Sequence, residues 1–438
     1  METKKNYTTA FIIITVLFFL WGFITVLVDS LVPRLREVFE LSYGMIAFLQ
    51  SAFFVAYFVF SIPAGGLISK VGYQRGVVIG LITMSVGCLL FYPASEFRLF
   101  GVFLLAFFTL AGGITILQVA ANPYVAVLGP EEKASSRLNL SQAFNSFGAT
   151  IAPLVGAAYL LSDKILTGDE INALSTAEKD AYYIQEAAAV QSPFLLFSFL
   201  IFLLGITFLF IKLPKILESE NTGTYKKALS KKSVWLGILG IFFYVGAEVT
   251  IGTAAVTYFM EMNLDSIIRE TPVLKNLSFS IIELFGGTTT DIDGKGIVGA
   301  FVTFYWLGAM IGRFIGSYLT KIFKPTIILT VFGLTAVSLI LVSVSTTGLV
   351  SMWSLLAVGL FNSIMFPTIF TTTLDGQGDL KPKISGLLCM AIVGGGVILP
   401  IFGFIVDYSG FKVALTILTL CYGYIAYFAY RNHSRAQL

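Results

Sequence analysis

Thr9–Ser30 reads TAFIIITVLFFLWGFITVLVDS, a stretch with one ionisable side chain, Asp29. A bilayer core about 30 Å thick is crossed by about 20 apolar residues in a helix, so this segment is a membrane span. Eleven more of the same kind follow, near 44–68, 76–95, 99–127, 137–161, 192–213, 234–260, 297–320, 325–345, 348–373, 384–407 and 411–430. They fill most of the 438 residues, of which 56% are hydrophobic and 12% charged, against about 25% charged in a soluble domain. No room is left for a sizeable soluble catalytic domain. The sequence predicts an all-α integral membrane protein with twelve transmembrane helices and membrane lipid as a partner, most of its aromatic residues facing lipid or packing between helices.

The net charge of +3 hides an asymmetry. Assigning loops alternately to two sides places Lys4, Lys5, Lys70, Arg75, Lys133, Arg137, Lys321, Lys324, Lys381 and Arg431 on one face. The opposite loops carry Asp163, Asp169, Glu170, Glu178, Asp180, Glu186, Glu261, Asp265, Glu270, Glu283, Asp291 and Asp293. By the positive-inside rule both termini are cytoplasmic, and the membrane is expected to be the plasma membrane, the inner one in a bacterium. The basic residues are topology signals, so no nucleic-acid partner is expected. The first apolar stretch is too long for a signal-peptide core and has no small-residue cleavage site, so it is read as the first helix. Cys88, Cys389 and Cys421 have no paired spacing, and His433 is the one histidine; a disulfide framework, a His-ligated metal and a histidine relay are not expected. No nucleophile–base pair or cofactor loop stands out, so the chain reads as a non-enzyme without cofactors.

The basic interruption KLPKILESENTGTYKKALSKK, Lys212 to Lys232, divides the spans into two sets of six. It suggests an N-terminal six-helix bundle over 1–213, a cytoplasmic linker over 214–232 and a C-terminal six-helix bundle over 233–438. The halves align by hand: FLWGFIT at Phe19–Thr25 with FYVGAEV at Phe243–Val249, Pro153-Leu-Val-Gly156 with Pro400-Ile-Phe-Gly403, and Gln118 and Pro123 with Asn362 and Pro367. Two bundles related by a pseudo-two-fold axis, with a site near the midplane between them, follow from such a repeat. Pro63, Pro123, Pro153, Pro367 and Pro400 are expected to kink or break helices, freeing carbonyls. Gly394-Gly-Gly396 is expected to permit close packing or bending.

Gly65-Gly-Leu-Ile-Ser-Lys-Val-Gly72 resembles the G-x-L-x-D-R-x-G signature of the major facilitator superfamily, with Ser69 in place of the aspartate, which removes the charge from that motif's gate. Gln50-Ser-Ala-Phe-Phe54, Leu117-Gln-Val-Ala-Ala-Asn-Pro-Tyr124, Leu128-Gly-Pro130, Arg137-Leu-Asn-Leu-Ser-Gln-Ala-Phe-Asn-Ser-Phe-Gly148, Tyr244-Val-Gly-Ala-Glu248 and Phe366-Pro-Thr-Ile-Phe370 are similar to the fucose:proton symporter family of sugar transporters. The resemblance covers nearly the whole chain. It implies the major facilitator fold, a sugar substrate and cation coupling. It also matches Asp29 to the proton-carrying acid of that family. Glutamine at 118 and glutamate at 248 reverse the fucose-permease pattern and resemble the glucose/galactose branch.

The candidate site residues follow from depth and chemistry. A carboxylate at bilayer depth costs about 2.5 to 3.5 kcal/mol, so Asp29 is expected to bind the coupling ion, H⁺ or Na⁺, the latter making it the metal-site candidate. The alternative is an acid at a helix end that faces water. Gln118 and Asn122 share one face of span four, and Gln142 and Asn145 one face of span five. Amides offer donors and an acceptor to sugar hydroxyls; the competing role is hydrogen bonding between helices. Gln50, Asn362 and Glu248 join them as hydroxyl ligands, and Phe54, Tyr57, Tyr258 and Trp306 could stack on a pyranose or simply pack. Arg313 is read as snorkelling toward the basic side or latching onto an acid there. The expected function is import of a hexose such as glucose or galactose by cation symport and alternating access, one chain sufficing as a monomer. An L-fucose:H⁺ symporter, a facilitated sugar uniporter, a drug or lipid exporter and a membrane sensor are the alternatives; an exporter cavity should be apolar rather than rich in amides, and a sensor should carry a signalling domain.

Overall fold

The computed structural model describes residues 7–29, 43–97, 99–159, 173–211, 213–214, 223–290 and 292–435. These are helical almost throughout, because lipid offers no partner to a backbone N–H or C=O and a helix satisfies both internally. The spans of the first half are α1 (Thr8–Asp29), α2 (Tyr43–Val71), α3 (Tyr73–Glu96), α4 (Phe100–Val127), α5 (Ala134–Tyr159) and α6 (Thr176–Phe210). A short helix α7 (Tyr225–Leu229) precedes α8 (Lys232–Glu261), the seventh span. Two surface helices, α9 (Leu264–Glu270) and α10 (Pro272–Leu284), lead to α11 (Gly294–Ile322), α12 (Pro325–Ser345), the paired α13 (Gly348–Asn362) and α14 (Met365–Leu374), the paired α15 (Lys381–Met390) and α16 (Gly394–Ser409), and α17 (Phe411–Arg435).

Among the described residues eleven stretches are long and apolar enough to cross a membrane. The twelfth expected span, α5, is not one of them, although it runs the full length. Its polarity has a cause: Ser135, Ser136, Asn139, Gln142 and Ser146 face other helices rather than lipid. The sixth helix begins earlier than the apolar span, at Thr176, where Ser175 and Glu178 form a reciprocal capping box. Glu178 therefore sits in a helix rather than in an acidic loop.

The two halves repeat one packing scheme. In the first, α1 packs on α5, α3 on α4 and α6, and α2 on α4; in the second, α8 packs on α16, α12 on α13 and α17, and α11 on α13. The aligned glycines explain part of this. Gly22 lies so close to the Asn145 carbonyl that a Cβ has no room, and Gly246, its counterpart in the repeat, would place a Cβ 2.6 Å from Ile398. The same small residue thus lets the first helix of each half cross its partner.

Prolines act less uniformly than expected. Pro63, Pro123, Pro153 and Pro400 lie inside assigned helices, whereas span ten breaks after Asn362, ahead of Pro367, and span eleven breaks through the 3₁₀ turn Ala391–Val393. A proline lacks the N–H that would bond the carbonyl four residues back. Two such carbonyls have found side-chain donors: Ser385 Oγ donates to Val119 O at 2.8 Å, four before Pro123, and Arg313 Nε donates to Ser363 O at 3.2 Å, four before Pro367. Gly395 and Gly396 pack against the Phe54 ring, so the glycine run serves both bending and close packing.

Contacts between halves run along two seams, α5 with α11 and α2 with α15. At the end bearing the basic loops both seams are shut. Ser136 Oγ donates to Ser317 O at 2.7 Å and Ser135 bonds Thr371 at 2.6 Å. A Cβ on Gly65 would sit 2.8 Å from Pro382 O and 2.6 Å from the Tyr225 hydroxyl, so α2, α15 and the linker helix α7 meet at this glycine. Ser69 donates to Gly66 O at 2.7 Å within its own helix, taking no part in the closure.

Candidate functional site

The first half contributes a neutral wall. Helices α2, α4 and α5 bring Tyr57, Gln118, Asn122 and Gln142 together, Tyr57 from the middle of its helix, Gln118 and Asn122 from the second half of α4 and Gln142 from the first third of α5. Gln118 Nε2 donates to Tyr57 Oη at 2.5 Å, and Gln142 Nε2 donates to Asn122 Oδ1 at 3.2 Å. Asn122 is fully buried, its amide nitrogen lacking an oxygen or nitrogen partner among the described residues and lying beside the Cys389 thiol. Asn145 is placed differently: its amide nitrogen donates to Phe18 O at 2.9 Å, tying α5 to α1. That is the helix-joining role rather than an open ligand.

The second half contributes a charged wall. Glu248, midway along α8, faces Arg313 of α11 at 3.9 Å, with the side chains 12% and 15% exposed. Arg313 does not reach toward the basic surface. Its Nη1 donates to Ser146 of α5 in the other half, and its Nε takes the Ser363 carbonyl. The carbonyl is free because of Pro367, so a proline in span ten helps aim an arginine of span eight. Asn362 Nδ2 donates to Tyr305 Oη at 2.7 Å and Tyr422 Oη at 3.4 Å, and Tyr305 Oη donates onward to the Glu248 carbonyl at 3.1 Å. Asn362 Oδ1 is buried without a hydrogen-bond partner among the described residues, and the buried Tyr244 hydroxyl stands beside Glu248 and Arg313.

The aromatic candidates separate. Trp306 is 47% exposed and lies four residues before Met310 and seven before Arg313, on the stripe of α11 that meets α5; Met310 accepts from Thr150 Oγ1 there at 3.5 Å. Phe54 is packed against Gly395 and Gly396, closing the α2 seam. Tyr258 belongs to the interior of the second half, bonded to Ser351 Oγ at 3.0 Å and with its ring tilted against Phe411, so its expected place on the cavity is not met. The side chains of Asp29 and Gln50 lie outside the described residues; the backbone places Asp29 at the end of α1 and Gln50 within α2.

Tyr305, Tyr422, Tyr244 and Ser146 were missed by sequence reading, and Arg313 was misplaced. Helical spacing from Trp306 and the four-residue step from Ser363 to Pro367 were the signals available for Arg313. Nothing local marks the tyrosines, since span interiors are rich in aromatic residues.

Unlike the Glu248–Arg313 pair, which lies within the second half, an ion pair at the basic rim joins the halves, Lys381 Nζ to Glu131 Oε1 at 2.5 Å. The bond from Lys381 holds the Glu131 carboxyl below the usual carboxylate range. Asp375 stands nearby and is pushed up, first by burial and then by the Glu131 charge. Chemically, the centre offers amide donors and acceptors on one side and an acid and a guanidinium on the other, with the half-exposed Trp306 indole against Gly252 of α8. It has no cluster of three or more His, Cys, Asp or Glu among the described residues.

The Major Facilitator Superfamily model matches residues 7–400. Over 430 residues the chain is 42% identical to the glucose/galactose transporter of Brucella abortus, covering 98% of this chain and 95% of that one. It is 32% identical to the L-fucose-proton symporter of Escherichia coli, covering 97% and 93%. The crystal structure of FucP in the outward conformation superposes with a TM-score of 0.86 at 31% identity, covering 98% of this chain and 99% of that one.

Proposed function

Because the chain belongs to the Major Facilitator Superfamily, whose members here are transporters rather than enzymes, we propose that it imports a hexose such as glucose or galactose together with H⁺ or Na⁺. The observation that carries this is the pairing at mid-depth of an amide wall, Gln118, Asn122 and Gln142, with a charged wall, Glu248, Arg313 and Asn362. A hexose presents hydroxyls that both donate and accept, and amides answer both. The greater likeness to the glucose/galactose transporter of Brucella abortus than to the L-fucose-proton symporter of Escherichia coli supports the hexose, as does glutamine at 118 with glutamate at 248.

In this reading residues 1–213 and 233–438 rock about the central site, 214–232 links them, and both termini are cytoplasmic in an inner-membrane monomer. Gln50, Gln118, Asn122, Gln142, Glu248 and Asn362 bind hydroxyls, Trp306 and Tyr57 flank the ring, and Phe54 and Asn145 support them from the neighbouring seams. Asp29 carries the coupling ion. A hundredfold gain in sugar affinity on ion binding corresponds to about 2.7 kcal/mol at 1.4 kcal/mol per tenfold, and linkage makes the gain reciprocal.

The test is uptake of labelled glucose into proteoliposomes under an imposed pH or Na⁺ gradient. Accumulation under one of them is expected. Equilibration without accumulation under both would leave a uniporter, and competition by L-fucose but not galactose would favour the fucose symporter, to which the chain is 32% identical.

A further inference from the structure

We propose that Arg313 is a positioning residue that reports the charge of Glu248 to the opposite half of the molecule through Ser146; this rests on the symport reading for its purpose but not for its measurement. The guanidinium is the one side chain among those described that bonds α5 of the first half while facing an acid of the second. Its donors are divided: Nη1 to Ser146 Oγ across the seam, Nε to the proline-freed Ser363 carbonyl, and Nη2 toward Glu248 at 3.9 Å. Gly312 leaves no room for a Cβ against Leu360 O and Ser363 Oγ, so α11 and α13 lie in contact where the arginine emerges and its stem has little freedom.

The physical consequence is a charge balance with one variable term. With Glu248 ionised, the arginine has a counter-charge and can stay in the seam beside Ser146. With Glu248 neutral, a largely buried guanidinium keeps only neutral groups, the Ser146 and Tyr244 hydroxyls and the Ser363 carbonyl, and an uncompensated buried charge is costly. Relief comes from water, reached by opening the α5–α11 seam. Glu248 is faced by Arg313 and Tyr305 of α11, Tyr422 of α17 and Tyr244 of its own helix. Arg313 is the cation of this set, so the acid's charge acts mainly through it.

The seam has a built-in reporter position. Ser136 and Ser317 bond each other across it nearer the basic rim, and the three native cysteines are buried. Alkylation of Ser136→Cys in sugar-free proteoliposomes, followed across a pH titration, measures opening. The expected result is labelling that rises about tenfold, within the usual span of coupling between sites, as acid neutralises Glu248. In Glu248→Gln labelling should be high and independent of pH. Glu248→Gln combined with Arg313→Gln should return to the low level, since replacing both charges removes the imbalance. Ser146→Ala should raise labelling at high pH and flatten the pH response. A monodisperse elution profile in detergent confirms that each variant is folded, and Arg313→Met replaces Arg313→Gln if that chain does not assemble. A Glu248→Gln protein with the wild-type pH response, or a double variant as open as the single one, would overturn the proposal. A wild-type protein that accumulates no hexose would instead defeat the symport reading and leave the labelling result standing.

Discussion

Two ion pairs among the described residues, one joining the halves and one within the second half, differ in almost every physical respect. Glu131 and Lys381 meet at 2.5 Å on the basic rim, with Glu131 half exposed; Glu248 and Arg313 stand 3.9 Å apart at mid-depth, each nearly buried. The rim pair has water to fall back on, and exposed pairs contribute about 0 to 1 kcal/mol. The central pair has little water, and losing one partner leaves the other in an environment that cannot solvate it. A short distance at the surface is therefore weaker evidence of consequence than a longer one in the interior.

Arg313→Gln or Glu248→Gln should produce the largest effect. Breaking a buried pair costs about 3 to 5 kcal/mol, so gradient-driven uptake should fall by two orders of magnitude or more, read as initial rates at saturating hexose; rates within a few-fold of wild type would make the central pair no more important than the rim pair. Asp29→Asn should come next, abolishing accumulation while leaving equilibrium exchange intact. Retained accumulation would move the coupling role to Glu248 alone. Gln118→Ala removes a hydrogen bond whose net value is about 0.5 to 1.5 kcal/mol, so KM should rise about 2- to 13-fold with little change in kcat; a kcat defect instead would place the amide in the gate. Smallest is Glu131→Gln, with a loss below about 1 kcal/mol.

The rim pair also has a pH signature of its own. Lys381 holds Glu131 below the usual carboxylate range, so its contribution to closure is complete above that range and is lost as pH falls through the depressed value. Asp375 is raised by burial, and its ionisation as pH rises opposes closure; Asp375→Asn should therefore make the basic side slightly tighter near neutral pH. Seam labelling in a Glu131→Gln background should keep the central, Glu248-dependent response and lose the component at the lowest pH.

How far the sequence could be read depended on whether the signal was local. The helix-pair glycines, Gly22 and Gly246, were visible because the repeat aligned them, and their close approach follows from having no Cβ. Gln118, Asn122 and Gln142 were legible as polar residues sharing helix faces at mid-depth. Asn145, three residues on from Gln142 along the same helix face, was not distinguishable, since its commitment to Phe18 O depends on how α5 crosses α1. Tyr258 misled for the same reason: a tyrosine in a span can face a cavity or Ser351, and only the packing of α8 on its neighbours chooses. Span five showed its full length in sequence yet fell below the others in apolarity, because a helix lining the seam exchanges lipid contacts for polar partners.

The sequence by itself determined a membrane protein of two repeated halves, because transfer of an apolar run into hydrocarbon is a local free energy summed along the chain. It also determined that a few charges and amides had been kept at depth against that cost. Tertiary structure alone decided that Arg313 turns inward, takes the carbonyl released by Pro367 and touches Ser146. Those contacts join residues 50 and 167 positions apart, and their existence depends on helix crossing and rotation, which no periodicity within one segment encodes.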